Sequence, residues 1–471
     1  MLKQIGLIKI TGLCLAVLFL LLGLTAPAFH GLSPMGSRTI WLTLFFLILL
    51  ITEAIPLITS CLLTIGLMPI LGITERISGA FVGFSHPVIF FIISSFGIAA
   101  AISSVPITKR ILFMILKNTK NKITHILFAM MCVTAITSFF MSNVPACAIM
   151  MILALELVES IDNEAQRKSI GRLFMIAIPV ATMIGGIATP ASSSLNLLAL
   201  SLLEQHTGIT IGFVQWMALG VPMVVILIPI AWWIMVRVYK PVHIDESMIL
   251  KFKEDIAMQV KRDGNLEWRE VYVAGILAIM LILWIASTWI PSIEIFTVAL
   301  MGCVALLLPG KHILPINTFV KSINMNVIFI SGAILSIAAL LVDHGVSLWL
   351  AEMVHQLFIP ENVHLVVFMT AIIAFTGTVF ITSAPALITV LAVPLMSIAF
   401  AGGIPLPYVI FVLAVCAGNC YLFPLDTVQL VTYSKGYYKM TDMAKSTLFL
   451  QIIIVILLAL WIPLMGGFLN I

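Results

Sequence analysis

Four short polar stretches carry the concentrated chemistry of this 471-residue chain. Two match each other: SNVPACAIMMILAL from Ser142 and TSAPALITVLAVP from Thr382, set 240 positions apart so that Pro145 corresponds to Pro385. The other two are TPASSSLNLL from Thr189 and FPLDTVQL from Phe423. Together they hold hydroxyls and amides (Ser142, Asn143, Ser192, Ser193, Ser194, Asn196, Thr382, Ser383, Thr427), one carboxylate (Asp426), and no Lys or Arg. Proline inside a helical run leaves backbone N–H and C=O groups without intrahelical partners. Free N–H ends favour anions, while free carbonyls with nearby hydroxyls coordinate cations. This is the chemistry of binding. No Walker motif, nucleophile elbow or HExxH accompanies it, so neither ATP drive nor an enzyme is indicated. A single stretch is equally well read as a proline kink with back-bonded hydroxyls; four at related positions favour a site.

The surrounding sequence decides the solvent. Hydrophobic residues make up 62% of the chain and charged residues 9%, against about 25% charged in a soluble domain. Repeated spans of about 20 apolar residues resolve that deficit, which makes this an all-α polytopic membrane protein. Seven cysteines, mostly in apolar runs and without a CxxC pair, read as small buried hydrophobes. The net charge of +4 comes from basic residues in short loops and indicates no nucleic-acid partner. The opening MLKQIGLIKI, its apolar run and TAPAFHG resemble a secretory signal, yet the run is long enough to span and reads as a retained first helix.

In chain order the expected spans are 5–24, 38–52, 57–72 and one long span from His86 to about Leu116, with Glu53 and Pro56 marking a helix junction. Residues 124–158 follow, charged at both ends and interrupted at SNVP. A straight helix of about 35 residues would measure about 50 Å and overshoot a core of about 30 Å, so a re-entrant hairpin with its tip at Ser142–Pro145 is expected. A crossing unwound at GGIATPASSSLN spans 172–204, and 213–236 completes the first half. The hydrophilic loop 237–269, too short for a domain, separates the halves. The second half repeats the order: 270–290 and 293–309 with a turn at Pro291, a long span 325–355, a hairpin 362–398 with TSAP at its tip, a crossing 404–433 interrupted at FPLDTVQ, and 445–466.

With the N-terminus in the cytoplasm, Arg38 and Arg76 are the two basic residues assigned outside, and the rest of the 24 Lys and Arg lie inside. The first hairpin then opens to the cytoplasm and the second to the outside, in two inverted-topology repeats. Eleven transmembrane helices plus two re-entrant hairpins leave the C-terminus outside the cell membrane. Broken helices at matching places in inverted halves point to the binding site of a secondary transporter.

TEAIP at Thr52–Pro56, SNVP at 142–145, TPASSSLN at 189–196, TSAP at 382–385 and KGYYKMTDM at 435–443 resemble, in order and over essentially the whole chain, the divalent-anion/sodium symporter family of di- and tricarboxylate and sulfate transporters. The resemblance implies a homodimer working as an elevator. Residues 1–122 and 270–357 would form a static scaffold (helices 1–4 and 7–9). Residues 123–240 and 358–471 would form a moving transport part, joined through the cytoplasmic loop 241–269. It implies a small anionic substrate, bound Na⁺ or proton coupling, and no other cofactor.

Carried over residue by residue, Ser142, Asn143, Ser193, Ser194, Asn196, Thr382, Ser383 and Thr427 would contact substrate. Ser138, Ser142, Asn143, Ser192, Thr378, Thr382, Ser383 and Asp426 would bind or couple the cation. The family pattern has Ser-Asn-Thr at both tips; here the third positions are Val144 and Ala384. Ser192 and Ser193 stand at the Gly-Thr positions of the family's unwound region. Asp426 replaces a small residue, and an ionised carboxylate at membrane depth is functional by default; a helix cap is its structural alternative. The expected function is transport of small divalent organic anions, C4-dicarboxylates such as succinate or malate, or citrate or 2-oxoglutarate, by cation-coupled symport or anion exchange. A sodium/proton antiporter or another inorganic-ion permease is the alternative. Glu53 reads as a scaffold or capping residue. His86, His125, His344 and His364 show no metal-ligand spacing, and Asp343 beside His344 reads as a local pair.

Overall fold

The computed structural model describes the backbone of all residues except 1, 243, 265, 291, 309–312, 356–360, 382, 425 and 470–471, and likewise the side chains, apart from those of 2–8, 351, 354 and 355. The expected turn residue Pro291 and site residue Thr382 lie outside the described residues. The described chain is helical throughout. In the first half the helices are α1 Leu2–Thr25, α2 Pro34–Thr52, α3 Leu57–Ile70, the single turn α4 Ile77–Ala80, α5 Pro87–Ser103, α6 Ile107–Lys117, α7 Ile123–Ser138, α8 Asn143–Glu159, α9 Glu164–Gly185, α10 Ser194–Thr207 and α11 Phe213–Tyr239. Helix α12, Glu246–Arg262, lies between the halves. The second half comprises α13 Trp268–Ala286, α14 Ile295–Leu307, α15 Ile316–Ser322, α16 Met325–Asp343, α17 Val346–His355, α18 Val363–Phe380, α19 Ala384–Ala401, α20 Leu406–Gly418, α21 Thr427–Tyr433 and α22 Met440–Leu469.

The element order recurs, and so does the packing. Helix α5 packs on α14 as α16 packs on α3. Helix α7 lies along α9 as α18 lies along α20, and α10 meets α19 and α20 as α21 meets α8 and α9. Helices of each half thus pack against helices of the other. Apolar side chains cover the outside, among them Leu21, Ile282, Leu460 and Phe468, whereas Ser60, Thr64, Thr134, Ser201 and Ser397 are buried. Those hydroxyls are satisfied by carbonyls one turn back in their own helices, as in Thr64→Ser60 O and Thr134→Met130 O. An apolar exterior with the buried hydroxyls satisfied inside their helices suits lipid.

Three expectations change. The long span 86–116 divides into α5 and α6, bent by 58°; Pro106 immediately before α6 ends the first helix. The span 325–355 likewise divides into α16 and α17 at Gly345, whose φ of +73° terminates α16. By length and apolarity, eight helices among the described residues can cross, or nine if α5 and α6 count as one span, and α3, α7, α14, α20 and residues 9–25 of α1 are shorter apolar helices. The loop 237–269 also contains a helix not read from its composition. Ile249, Phe252 and Ile256 form one buried stripe of α12. Lys253 donates to Thr119 O and to Asn121 Oδ1 (2.8 Å), and Gln259 Nε2 donates to Glu156 Oε2 at 3.1 Å, tying α12 to the end of α6 and to α8.

Candidate functional site

Both expected hairpin tips fall at short breaks between helices. At the first, α7 ends at Ser138 and α8 begins at Asn143, with Ser142 in extended conformation at its N-cap making no cap bond of its own. At the second, Ser383 holds the N-cap of α19, also without a side-chain cap bond. Pro145 and Pro385 sit in the first turns, where a missing N–H costs no helical bond. The two N-termini therefore keep their hydroxyls and forward N–H groups free of local capping.

The broken crossings sit between the tips. Helix α9 stops at Gly185 and α10 restarts after the N-cap Ser193, whose Oγ accepts from Leu195 N at 3.3 Å. Helix α20 stops at Gly418 and α21 restarts after the N-cap Asp426. The four breaks converge. Thr189 Oγ1 donates to Phe139 O (3.2 Å), joining the first break to the first tip. Cys147 Sγ donates to Val428 O (3.4 Å), joining the first hairpin to α21. Thr378 of the second hairpin lies beside Cys420 of the second break, and α10 packs on α19.

The first half of this site is a buried cluster of oxygens. Ser138 Oγ lies 2.7 Å from Asn143 Oδ1 and 2.9 Å from Thr182 O. Ser192 Oγ lies 2.7 Å from Gly186 O and 2.6 Å from Thr189 O. Each serine has one hydroxyl proton for two acceptors. Asn196 Nδ2 bridges the same two carbonyls at 2.9 and 3.0 Å. Ser138 and Ser192 are fully buried and Asn196 is 3% exposed, so no bulk water completes these oxygens. Hard oxygen donors at that density suit a hard cation. Close approach makes the cluster possible: a Cβ on Gly186 would stand 2.7 Å from Asn143 Oδ1, and one on Gly185 would stand 2.6 Å from Ala135 O.

The second half is built differently. Thr378 Oγ1 donates to Phe375 O (2.7 Å) in its own helix. Asp426 is partly buried, and its Oδ1 accepts from Val428 N at 2.8 Å while Gln429 Oε1 reaches back to Asp426 N at 3.4 Å. This is a capping box, so Asp426 does cap α21. Gln429, fully buried, also donates through Nε2 to Cys420 O in the unwound stretch.

The structure thus brings Ser138, Asn143, Ser192 and Asn196 into one cluster and sets Ser142, Ser193, Ser383 and Asp426 at four helix N-caps. Ser194 and Thr427 follow at the first positions of α10 and α21, Thr427 being exposed, and Thr378 lies buried beside Cys420. Thr182, Gly186 and Gln429 were missed by sequence reasoning. The three-residue spacing from Asp426 to Gln429 was the available signal for the last; nothing in the sequence singles out Thr182. The histidines serve the frame: His86 Nδ1 accepts from Val88 N, and His364 Nδ1 donates to Ala459 O. His344 Nδ1 pairs with Thr39 Oγ1 at 2.8 Å, across to α2, in addition to its electrostatic contact with the neighbouring Asp343. Glu53 ends α2 in the left-handed region (φ 45°), a junction residue as expected. Among the described residues no group of His, Cys, Asp or Glu could hold a metal ion.

The family model described as the sodium:sulfate symporter transmembrane region matches residues 7–470. The chain belongs to this family. It is a multi-pass secondary transporter of small anions. The sodium-dependent dicarboxylate transporter SdcS of Staphylococcus aureus (strain USA300) is 25% identical over 476 residues, covering 96% of this chain and 90% of that protein. Its counterpart in Staphylococcus saprophyticus is also 25% identical, over 477 residues. Among solved structures, the YdaH transporter of Alcanivorax borkumensis aligns with a TM-score of 0.54 at 12% identity, covering 93% of this chain and 98% of that one, a likeness of fold alone.

Proposed function

We propose that this transporter carries small divalent organic anions, with C4-dicarboxylates such as succinate or malate the leading class, across the cytoplasmic membrane by cation-coupled symport or by anion exchange. The observation that carries this reading is the pairing of helix N-termini that keep their hydroxyls uncapped (α8, α19) with a buried cluster of oxygens, in a site without a single Lys or Arg. Helix N–H ends hold carboxylates, and a cation in the oxygen cluster supplies the positive charge that no side chain provides. Ser138, Asn143, Ser192 and the carbonyls of Gly186 and Thr189 would hold Na⁺. Ser142, Ser193, Ser194, Asn196, Thr382, Ser383 and Thr427 would line the anion. The dicarboxylate transporters at 25% identity favour the same cargo.

Residues 123–240 and 358–471 move as the transport part against a scaffold of 1–122 and 270–357, in a homodimer with the N-terminus inside and the C-terminus outside. The contacts of α7–α11 with α18–α22, exchanged between the halves, support that division. Asp426 caps α21 and, in this reading, also adds a negative charge that must be protonated or matched by a cation when a dianion binds, which gives it a role in coupling.

The test is uptake by purified protein in proteoliposomes of labelled succinate, malate, citrate, 2-oxoglutarate and sulfate, driven by sodium, by protons and by internal counter-substrate. Saturable dicarboxylate uptake under at least one drive is expected. No anion flux under any drive, together with sodium-driven proton movement, would replace this reading with the antiporter alternative.

A further inference from the structure

The motif KGYYKMTDM, from Lys435, takes no part in the central site. With the start of α9 it forms a separate pocket of about 810 Å³. Arg167 and Arg172 face it from α9, and Lys435 and Lys439 from the junction between α21 and α22. Its carboxylates are Glu159 and Asp442, and Asp442 is already engaged by Lys445 Nζ (3.2 Å) and by Lys439 N (3.0 Å). Lys168, also on the wall, is paired with Glu164 at 2.7 Å. Four cations thus face one uncommitted carboxylate, contributed equally by the two halves of the chain.

The pocket is held in shape. Tyr437 packs on Gly171, where any Cβ would stand 2.1 Å from its ring. The Tyr438 hydroxyl contacts Thr432 Oγ1 (3.2 Å) and donates to Gln429 O (3.3 Å). The Arg172 guanidinium lies over the Tyr239 ring at 5.4 Å, and its Nε is buried without any acceptor. A guanidinium fixed by stacking, with a desolvated donor left unmatched, is a group that an added oxygen acceptor completes. Glu159 also lines the neighbouring cleft formed with α12, so the pocket opens at the end of the molecule where the inter-half linker lies.

We infer that this pocket binds a phosphate-type dianion, delivered as free phosphate or as the headgroup of an anionic lipid, and that the dianion clamps α9 to the α21–α22 junction. Two arginines able to fork onto paired oxygens, plus two lysines as point charges, suit a compact multi-oxygen dianion. Neutralising four like charges shared by the halves stabilises their contact, so occupancy is read by thermal stability and is independent of what the central site carries.

The experiment measures thermal unfolding of full-length protein in detergent, titrated with inorganic phosphate at constant ionic strength. It is repeated in lipid nanodiscs with and without phosphatidic acid. Stabilisation by inorganic phosphate that is lost in the lysine double variant identifies a free-phosphate site, and stabilisation by phosphatidic acid alone that is lost in the same variant identifies a lipid headgroup; each supports the inference. In either case Arg172→Gln is expected to weaken the apparent affinity at least tenfold, and Lys435→Gln with Lys439→Gln to do the same. Lys168→Gln is expected to shift it less than threefold. The loop lysines keep the test decisive should Arg172→Gln fail to fold. No stabilisation by either probe, or equal stabilisation of the lysine double variant and the unmodified protein, overturns the inference.

Discussion

The two tip-and-break units occupy matching places in the fold and have diverged in chemistry. In the first, Ser138, Asn143, Ser192 and Asn196 reach across breaks, binding the carbonyls of Thr182, Gly186 and Thr189 into one buried cluster. In the second, Thr378 bonds within its own helix, Asp426 caps α21, and Ala384 offers no polar group. Duplicated architecture therefore does not entail duplicated ligands. In the proposed reading the first unit holds the cation, whereas the second supplies N-termini and one carboxylate.

The steepest contrast between the units comes from their glycines. In Gly185→Ala the new methyl meets the Ala135 backbone at 2.6 Å, which cannot step aside. Overpacking of this kind costs about 2–3 kcal/mol, to be seen as a lowered Tm with transport lost. In Gly377→Ala the methyl meets only the Leu387 side-chain tip at 2.5 Å. A change of rotamer accommodates it, and thermal unfolding should show a loss below about 1 kcal/mol. Equal damage at both positions would remove the distinction.

Next in size is Asn196→Ala. It strips a bridging donor from the carbonyls of Gly186 and Thr189, and buried acceptors left unmatched cost about 1–3 kcal/mol; initial uptake rates should fall more than tenfold. Ser138→Ala should raise the sodium concentration for half-maximal transport about tenfold, equivalent to about 1.4 kcal/mol of cation binding, whereas Thr378→Ala should move it less than threefold. A larger shift at Thr378 would place the cation in the second unit. The smallest change in stability belongs to Asp426→Asn. Asparagine caps as well as aspartate, so unfolding should move by less than about 0.5 kcal/mol. Any change in the sodium or pH dependence of transport then reports the charge alone; if rate and both dependences stay as in the unmodified protein, Asp426 is only a cap.

Much of this contrast was legible in the sequence. Apolar runs and proline interruptions locate all four breaks, because a helix too long for the bilayer must break where proline removes its N–H. The split of the long spans at Pro106 and Gly345 was less visible, since neither residue stands out in an apolar run until the packing shows the chain turning. Helix α12 was missed because its apolar stripe of Ile249, Phe252 and Ile256 is diluted by charge. Which carbonyls close the oxygen cluster was unreadable: Thr182 O and Gly186 O are backbone atoms, the first partnered through the approach of α7 to α9 and the second through the fold-back of the break and α10 onto the end of α9.

The central claim is that the first unit, completed by the second, holds the transported anion with its cation. The most direct measurement compares initial rates of labelled succinate uptake into proteoliposomes by the unmodified protein and by Asn196→Ala at matched reconstitution, with and without an inward sodium gradient and with internal succinate. The expected result is saturable uptake by the unmodified protein under at least one of these drives, reduced more than tenfold in the variant. Uptake that is unaltered in Asn196→Ala, or absent from the unmodified protein under every drive, would contradict it.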